Sequence, residues 1–427
     1  QPGGVSPPSS AGAPPPAAGR AAAPPLGAMA SSEEGAAGAA AGVSDGAWLR
    51  GLPKVELHVH LDGALDQALL YELAVERAEG LPEDVLSAVT GQRMPVRAAV
   101  CACKCQGDFT KLVTCKGRRS LKAMLDCFSI FMPVVQGRLA AWEEMAYLFC
   151  KRQAEQNVAY TEVRYSPHLL IGGEYFSESE PLDPVPALDA VTRGLRRGCA
   201  EHGIVVNQIV CCIAFRPEWS MECVELADRR RADFPCAVVG VDVAAGEVCD
   251  FPEGHAAALK RARELGLSIT LHAGETGGPE NVRRSVEEFG ATRIGHGYAA
   301  AEEPELLRAL AARGVHFEAC PTSSLETGAW RGPEAEAAQW TSHPVKAMLE
   351  AGASVSLNSD DPSVFVASLT GDMALCLSDI GLTREQLLRA TLAAADACFA
   401  GGEEKAKVRK LIKSYGLSGA ACDPSGP

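Results

Sequence analysis

The sequence has 427 residues, of which 47% are hydrophobic, and its mean hydropathy is +0.01. These values are typical of a globular protein that buries a large core, in one large α/β domain or two smaller ones. Acidic residues outnumber basic residues by 54 to 40, and the formal net charge is −14. This charge argues against a surface that follows the phosphates of DNA or RNA, although a pocket could still bind a single nucleoside.

The sequence pattern also argues against membrane insertion, secretion and disulfides. No apolar run reaches the roughly 18 residues that a membrane-spanning helix needs. The N-terminus lacks a charged region followed by an apolar stretch, so we expect a cytoplasmic protein without a secretory signal. The 16 cysteines include no C-x-x-C pair, and buried reduced thiols are the better interpretation.

The two ends of the chain differ in composition from the rest. Residues 1–46 are dominated by Ala, Gly, Pro and Ser and have no periodic apolar pattern, which predicts a disordered leader. Residues 418–427 are expected to form a flexible tail. Between them, residues 47–417 are predicted to form a single domain.

From Gly51 onward, apolar strands alternate with helical patterns, as in repeated βα units around a parallel sheet. Eight such units close naturally into a (β/α)8 TIM barrel, here with extra helices between the first two strands and at the C-terminus. A doubly wound open sheet is the alternative, but no G-x-G-x-x-G motif follows an early strand. The eight predicted strands cover residues 55–61, 158–166, 205–215, 237–244, 268–272, 293–295, 315–320 and 354–358.

The first predicted strand carries the segment VELHVHLDG, in which His58, His60 and Asp62 occupy alternate positions. Side chains at alternate positions of a strand point to the same face. Two adjacent imidazoles are a poor core filling, because each polar nitrogen needs a partner, but they can supply half of a zinc site. A structural pair of core histidines remains the alternative for this motif alone.

Other predicted strand ends carry further candidates, and in a TIM barrel the chemistry lies at the C-terminal ends of the strands. The fifth strand ends in LHAGE, with His272 and Glu275, and the sixth in GHG, with His296. The eighth ends in NSDDP, with Asp360 and Asp361. Individually, the histidines could be core residues and the carboxylates could cap helices. Together, they favour a catalytic site.

These strand ends supply nitrogen and oxygen ligands suited to Zn²⁺, with one coordination position left open for water. Zinc lowers the pKa of bound water towards about 7, which makes hydroxide available at neutral pH. Glu275 follows a ligand by three residues and could exchange protons with a substrate. His296 could orient the hydroxide or stabilise charge on the attacked atom. The predicted ligands are His58, His60, His272 and Asp360.

As a set, the motifs resemble those of the adenosine deaminase family, of the vertebrate-like kind, within the amidohydrolase superfamily. They are KVELHVHLDGA (residues 54–64), EVRYSPHLL (162–170), LHAGE (271–275), GHGY (295–298), CPTSS (320–324) and SLNSDDP (356–362). The resemblance implies one zinc per chain on the four ligands named above. It also implies that Glu275 protonates purine N1, His296 activates or orients the hydroxide, and Asp361 contacts N7. The expected reaction converts adenosine or 2′-deoxyadenosine into its inosine counterpart and ammonia.

Substrate contacts also follow from the resemblance. The family uses an acid at the position of Asp62 to bind the ribose 5′-hydroxyl, and a carboxylate there would repel a 5′-phosphate. Deamination of another purine, such as adenine or methylated AMP, is therefore disfavoured. One apolar helix face matches the hydrophobic lid of the family, although an ordinary core-facing helix would give the same pattern. The lid candidates are Leu121, Met124, Leu125 and Phe128.

Two segments depart from the family pattern. The family glycine that meets purine N3 corresponds to Gly246 or, less favourably, to Ala245 in VAAGEV. Residues 97–119 contain a C-x-C-x-C run and are predicted to form a solvent-exposed insertion rather than a second metal site. His316 and Glu318 match the H-x-E of cytidine-deaminase-type zinc sites, but no P-C-x-x-C follows, so we interpret them as strand positions.

The expected partner is a small purine nucleoside, with no nucleic acid polymer. A second hypothesis is a catalytically silent family member that acts as a binding module. Its partner would be a protein at the cell surface, which would be a second location besides the cytoplasm. The joint presence of Glu275, His296 and the four ligands argues against this hypothesis, because binding alone would not require them.

Overall fold

The structure is a computed structural model that describes residues 43–87, 91–117, 119–171, 183–248 and 250–420, without the side chains of residues 417–420. Within these residues the strands are β1 (Lys54–His60), β2 (Val85–Leu86), β3 (Arg93–Met94), β4 (Val158–Tyr165), β5 (Val205–Ile213), β6 (Val238–Ala244), β7 (Ser268–Ala273), β8 (Arg293–His296), β9 (His316–Ala319) and β10 (Ser354–Leu357). The eight predicted strands are therefore confirmed, with end shifts of one or two residues, and the short antiparallel pair β2–β3 was not predicted.

The eight strands other than β2 and β3 form one parallel sheet in the order β1, β4, β5, β6, β7, β8, β9, β10. The first and last strands meet through a parallel bridge between Val59 and Asp360. There the His60 N–H donates to the Asp360 carbonyl at 2.8 Å, and the Asp360 N–H donates to the His58 carbonyl at 3.1 Å. The structure thus confirms the TIM barrel and brings the C-terminal ends of all its strands to one rim.

Helices follow most barrel strands and cover the outside of the barrel. The α-helices are α1 (Asp45–Gly51), α2 (Gln67–Arg77), α3 (Val96–Cys101), α4 (Gln106–Leu112), α5 (Leu121–Val135), α6 (Leu139–Glu155), α7 (Pro167–Ile171), α8 (Val185–His202), α9 (Ser220–Arg230), α10 (Glu253–Glu264), α11 (Pro279–Glu287), α12 (Pro304–Ala312), α13 (Pro321–Glu326), α14 (Pro333–Glu336), α15 (Pro344–Glu350), α16 (Pro362–Phe365), α17 (Leu369–Leu375), α18 (Arg384–Ala397) and α19 (Gly402–Ala420). Several begin with proline in the first turn, where its missing N–H leaves no hydrogen bond unmade.

Regular structure extends two or three residues beyond the expected domain at both ends. Helix α1 begins at Asp45, and the Ser44 side chain caps it by accepting from the Ala47 N–H, so regular structure begins before residue 47. Helix α19 continues to Ala420, beyond the expected start of the tail at residue 418. The rest of the expected leader, residues 1–42, and of the tail, residues 421–427, lies outside the described residues.

Residues 97–119 are only partly solvent-exposed: Cys101 and Cys105 are exposed, as the cysteine pattern suggested, but other side chains of the segment are buried. Phe109, Val113 and Cys115 are buried in the core cluster that also contains the lid residues Met124 and Phe128. The apolar side chains of this segment therefore override the polar and cysteine-rich composition around them. None of the described cysteines forms a disulfide, and no described helix has the length and apolar character needed to cross a bilayer.

Candidate active site

Four potential ligands converge at the seam between the first and last strands. The ligand atoms of His58, His60, His272 and Asp360 all lie within 4.8 Å of one another. Asp360 Oδ1 lies 3.2 Å from His58 Nε2 and 3.4 Å from His60 Nε2. The Nε2 atoms of His60 and His272 are 3.3 Å apart. The structure therefore brings together all the ligands that the sequence predicted.

The donor atoms of this group fit a divalent metal such as zinc. His58 Nε2 is buried and lies 3.2 Å from Asp360 Oδ1, but without hydrogen-bond geometry, and such an unsatisfied contact would be costly if the ring served only as core packing. Burial lowers the pKa of His60 well below its usual value, so the imidazole is neutral and its nitrogen can act as a ligand. Three imidazoles and one carboxylate are a zinc-type donor set.

Two buried carboxylates orient the ligand histidines. Glu318 Oε2 lies 2.8 Å from His58 Nδ1, and Asp242 Oδ2 lies 3.0 Å from His272 Nδ1. The contact with Glu318 is a hydrogen bond that fixes the His58 ring with Nε2 towards the cluster, and Asp242 lies within ion-pair distance of His272 on the side of the ring away from its Nε2 atom. Arg164 joins the two carboxylates, because one of its terminal nitrogens lies 2.7 Å from Asp242 and the other 2.7 Å from Glu318.

Glu318 belongs to an ionic layer inside the barrel, below the cluster. Arg293 lies 2.7 Å from Glu318 and 2.5 Å from Glu162, and all these side chains are buried. Burial opposes ionisation of Glu318, but Arg164 and Arg293 outweigh it and hold the pKa of this carboxyl well below its usual range. From the sequence alone, Glu318 is a plain strand position, and neither Asp242 nor Arg164 is a candidate site residue. Their charge within otherwise apolar strands was the signal for a buried network.

Glu275 and His296 lie beside the ligand cluster. His296 Nε2 is 3.7 Å from Glu275 Oε2 and 3.9 Å from Asp360 Oδ2. Burial raises the pKa of Glu275 to about 8, with the charge of Asp360 as the second cause, and burial lowers the pKa of His296 well below its usual value. At neutral pH the site therefore presents a protonated carboxyl group beside a neutral imidazole, a suitable pair for proton transfer.

The backbone at two of these residues is unusual. His296 has φ of 64° and Asp360 has φ of 61°, in the left-handed region that non-glycine residues rarely adopt. Such conformations cluster at functional sites, where the surrounding structure compensates for the strain. His296 is the last residue of β8, whereas Asp360 lies three residues after the end of β10, and both side chains point towards the cluster.

One cavity at the barrel rim is lined by three of the four cluster residues, His58 being buried behind them, and by every predicted substrate contact. Its lining includes His60, His272, Glu275, His296 and Asp360 together with Asp62, Gly246, Asp361, Leu121, Met124, Leu125 and Phe128. Burial raises the pKa of Asp62 to about 7. Burial and then the charge of Asp360 raise the pKa of Asp361 well above its usual range. Both acids have a buried Oδ1 atom with no hydrogen-bond partner among the described atoms.

The turn after β6 brings both candidates for the N3 contact to the cavity. Ala245 follows the last residue of β6 and has φ of 65°, and Gly246 has φ of 111°. Ala245 therefore carries its methyl group in a conformation that glycine adopts more easily. Both residues line the cavity, so the geometry leaves both candidates open.

Helix α5 covers this cavity with the predicted lid residues. Met124 and Phe128 are buried, whereas Leu121 and Leu125 are half-buried. The helix begins after Ser120, whose side chain accepts from the Ala123 N–H. The same four side chains face both the cavity and the neighbouring core cluster, so the lid and the core-facing interpretations describe one helix face.

Known proteins identify the family of this site. The family model described as adenosine deaminase matches residues 104–415. The chain belongs to the adenosine deaminase family. It is 34% identical to an adenosine deaminase from Xenopus tropicalis over 373 residues, which is 86% of this chain and 96% of the relative. It is 35% identical to that of Mus musculus, over 85% of this chain and 97% of the relative.

Membership of the adenosine deaminase family makes the chain a hydrolytic deaminase. In fold, it is similar to the crystal structure of an amidohydrolase from Burkholderia ambifaria with bound Zn. The TM-score of this match is 0.70 and the identity 24%, and it covers 89% of this chain and 95% of the other.

Proposed function

We propose that this protein deaminates adenosine and 2′-deoxyadenosine, using water to give inosine or 2′-deoxyinosine and ammonia. The observation that carries the proposal is a single cavity with a zinc-type ligand group and a protonated carboxyl group at one end and a hydrophobic helix over it. The names of the two relatives above supply the substrate. A purine base fits between the apolar lid and the polar rim because its faces are apolar and its edges carry nitrogen atoms.

One Zn²⁺ per chain, held by His58, His60, His272 and Asp360, is part of the proposal. When bound, zinc would lower the pKa of a water molecule enough to supply hydroxide at neutral pH. Asp360 Oδ2 also accepts a hydrogen bond from the Ser323 hydroxyl at 2.7 Å, which leaves Oδ1 directed towards the histidines.

Glu275 and His296 would carry out the proton transfers of the reaction. Glu275 holds its proton at neutral pH and would donate it to purine N1, which increases the electrophilic character of C6. His296 is neutral and has two buried nitrogens without partners among the described atoms. It would accept a hydrogen bond from the attacking water and direct the oxygen at C6. The proton taken from the water through His296 would pass to the 6-amino group, which leaves as ammonia when the C6–N bond breaks, and Glu275 would recover its proton from the C6 hydroxyl.

The remaining polar groups would orient the nucleoside. Asp361, kept protonated by burial and by Asp360, can donate a hydrogen bond to N7. Asp62 is placed to bind the ribose 5′-hydroxyl, and Gly246 or Ala245 to offer an N–H to N3. Closure of Leu121, Met124, Leu125 and Phe128 over the base would exclude water from the reacting centre. A cytoplasmic location and a cell-surface protein partner remain predictions from the sequence.

A substrate panel tests the proposal. Purified protein supplied with zinc should convert adenosine and 2′-deoxyadenosine, measured by the absorbance change and by released ammonia. It should convert AMP, N6-methyl-AMP and adenine at least about 100-fold more slowly, because each lacks the 5′-hydroxyl or adds like charge near Asp62. Faster conversion of a nucleotide than of adenosine would contradict the substrate assignment, and no conversion of any purine would favour the silent binding module.

A further inference from the structure

The Glu247 carboxylate organises the loop that carries Glu275. Its Oε1 atom accepts from the Gly274 N–H at 2.6 Å. Its Oε2 atom accepts from the N–H groups of Glu275, Thr276 and Gly277 at 3.0, 2.8 and 2.6 Å. Four successive backbone donors therefore converge on one side chain, an arrangement that normally binds a free anion.

Asn281 extends this arrangement into the next helix. Its side-chain Nδ2 atom donates to Glu247 Oε1 at 2.7 Å and to the Val248 carbonyl at 3.2 Å. Asn281 lies in the first turns of α11, so Glu247 connects the turn after β6 to the loop after β7 and to the helix that follows. We call Glu247, residues 274–277 and Asn281 the Glu247 cradle.

The cradle binds only the N–H group of Glu275. Arg331 binds the carbonyl group of the same residue. The guanidinium of Arg331 donates to the Glu275 carbonyl at 3.3 Å and to the Thr276 carbonyl. The peptide groups on both sides of the Glu275 Cα are thus restrained. A residue held in this way directs its carboxyl group reproducibly, and a displacement of about 1 Å at a reacting group can cost 100-fold in rate.

We propose that Glu247 is a positioning residue that sets the place of the Glu275 carboxyl group over the purine ring. This inference rests on the proposed function, because it assigns Glu275 the transfer of a proton to N1. Glu247 itself does not contact the reacting atoms. It also lies in the turn whose preceding residues, Ala245 and Gly246, line the substrate cavity, so one short segment both contacts the base and locates the acid.

A neutral side chain of the same shape cannot replace Glu247. The two carboxylate oxygens accept five hydrogen bonds here. A glutamine has one accepting oxygen, and its NH2 group would face N–H donors and repel them. Glu247→Gln should therefore leave the volume of the side chain unchanged while it releases one half of the cradle.

Steady-state kinetics of Glu247→Gln on adenosine test the positioning role. We expect kcat to fall about 10- to 100-fold while KM changes by less than about threefold. The inhibition constant of 1-deazaadenosine, which has carbon in place of N1, should not change, because this compound cannot accept the Glu275 proton. Glu280→Gln is the matched control, since Glu280 is an exposed carboxylate on the adjacent helix, and it should leave kcat unchanged.

A pair of glycine variants gives an independent test with the Glu247 side chain intact. A Cβ atom added at Gly277 would lie 2.5 Å from Glu247 Oε1, whereas one added at Gly278 would meet nothing within 4 Å. Gly277→Ala should therefore push the carboxylate away from the loop and lower kcat as Glu247→Gln does. Gly278→Ala should retain the wild-type kcat.

Hydrogen exchange separates this inference from the proposed function. In wild-type protein the amides of residues 274–277 should be protected, and Glu247→Gln should increase their exchange at least about tenfold without changing the exchange of the barrel strands. This result is expected even if adenosine is not the substrate. If wild-type protein deaminates adenosine and Glu247→Gln has an unchanged kcat, or if the loop amides exchange equally in both proteins, the positioning role is wrong.

Discussion

His58 Nε2 lies 3.2 Å from Asp360 Oδ1, although the two residues come from opposite ends of the barrel sequence. The backbone explains the proximity, since the Asp360 N–H donates to the His58 carbonyl at 3.1 Å where the last strand meets the first. The proposed metal site is therefore located where the barrel closes. Any change that opens this seam should affect folding and metal binding together.

The carboxylates behind the ligand histidines should control metal affinity. Asp242→Asn removes the charge that lies 3.0 Å from His272 Nδ1 and permits the wrong ring orientation. We expect zinc affinity, measured by competition with a chelator, to fall about 10- to 100-fold. Asp233→Asn, at a partly exposed ion pair with Arg230, is the control and should bind zinc normally. Equal affinity in Asp242→Asn would show that the carboxylate does not orient the ligand.

The rate should depend on pH through Glu275. Its pKa is raised to about 8, chiefly by burial, and the proposed step needs the protonated form. Activity is therefore present below this pH and is lost as the proton is removed above it. We expect kcat/KM for adenosine to fall about tenfold per pH unit above about pH 8. A level profile up to pH 10, with the protein still folded, would argue against an acid role.

The lid should contribute to binding of the nucleoside. Leu125 lines the cavity and is only half-buried, so Leu125→Ala should cost little stability. The shorter side chain should raise KM for adenosine about 3- to 10-fold, because each Å² of apolar surface that the nucleoside no longer covers weakens binding by about 25 cal/mol. Leu411→Ala, at a side chain that is 53% exposed, should leave KM unchanged. An unaltered KM in Leu125→Ala would show that this helix face does not touch the substrate.

Residues 97–119 should be necessary for folding. Phe109 is fully buried and its ring centroid lies 5.8 Å from that of Tyr71. Phe109→Ala should reduce the free energy of unfolding in urea by about 3–5 kcal/mol, whereas Leu86→Ala, at a 52% exposed side chain, should change it by less than about 0.5 kcal/mol.

Deletion of the whole segment should also remove the backbone bond from the Cys115 N–H to the Val364 carbonyl, which is 3.0 Å long. We expect the shortened protein to aggregate or to lose activity. A stable and active deletion variant would show that the segment is an insertion that neither folding nor activity requires.

The sequence was sufficient to predict the barrel and to select four candidate ligands that the structure brings together, because hydrophobic periodicity marks each strand and the candidates lie at strand ends. It was not sufficient for Asp242, Arg164 and Glu318, which act through contacts between strands that are distant in the chain. A charged residue in a buried strand does not itself show which partner it meets.

The prediction for residues 97–119 missed their buried side chains, and the physical cause is different. The repeated cysteines suggested an exposed insertion, but a few large apolar side chains, Phe109 and Val113 among them, decide the packing of the segment. Glu247 was missed because four of its five partners are backbone N–H groups, and these leave no signal in the sequence.

The most direct measurement compares zinc content and adenosine turnover in wild-type protein and in Glu275→Gln. Both proteins should hold about one zinc per chain, because Glu275 is outside the ligand group. Wild-type protein should release ammonia from adenosine, and Glu275→Gln should do so roughly 10²- to 10⁴-fold more slowly. A normal rate in Glu275→Gln, or full turnover by protein stripped of metal, would contradict the account.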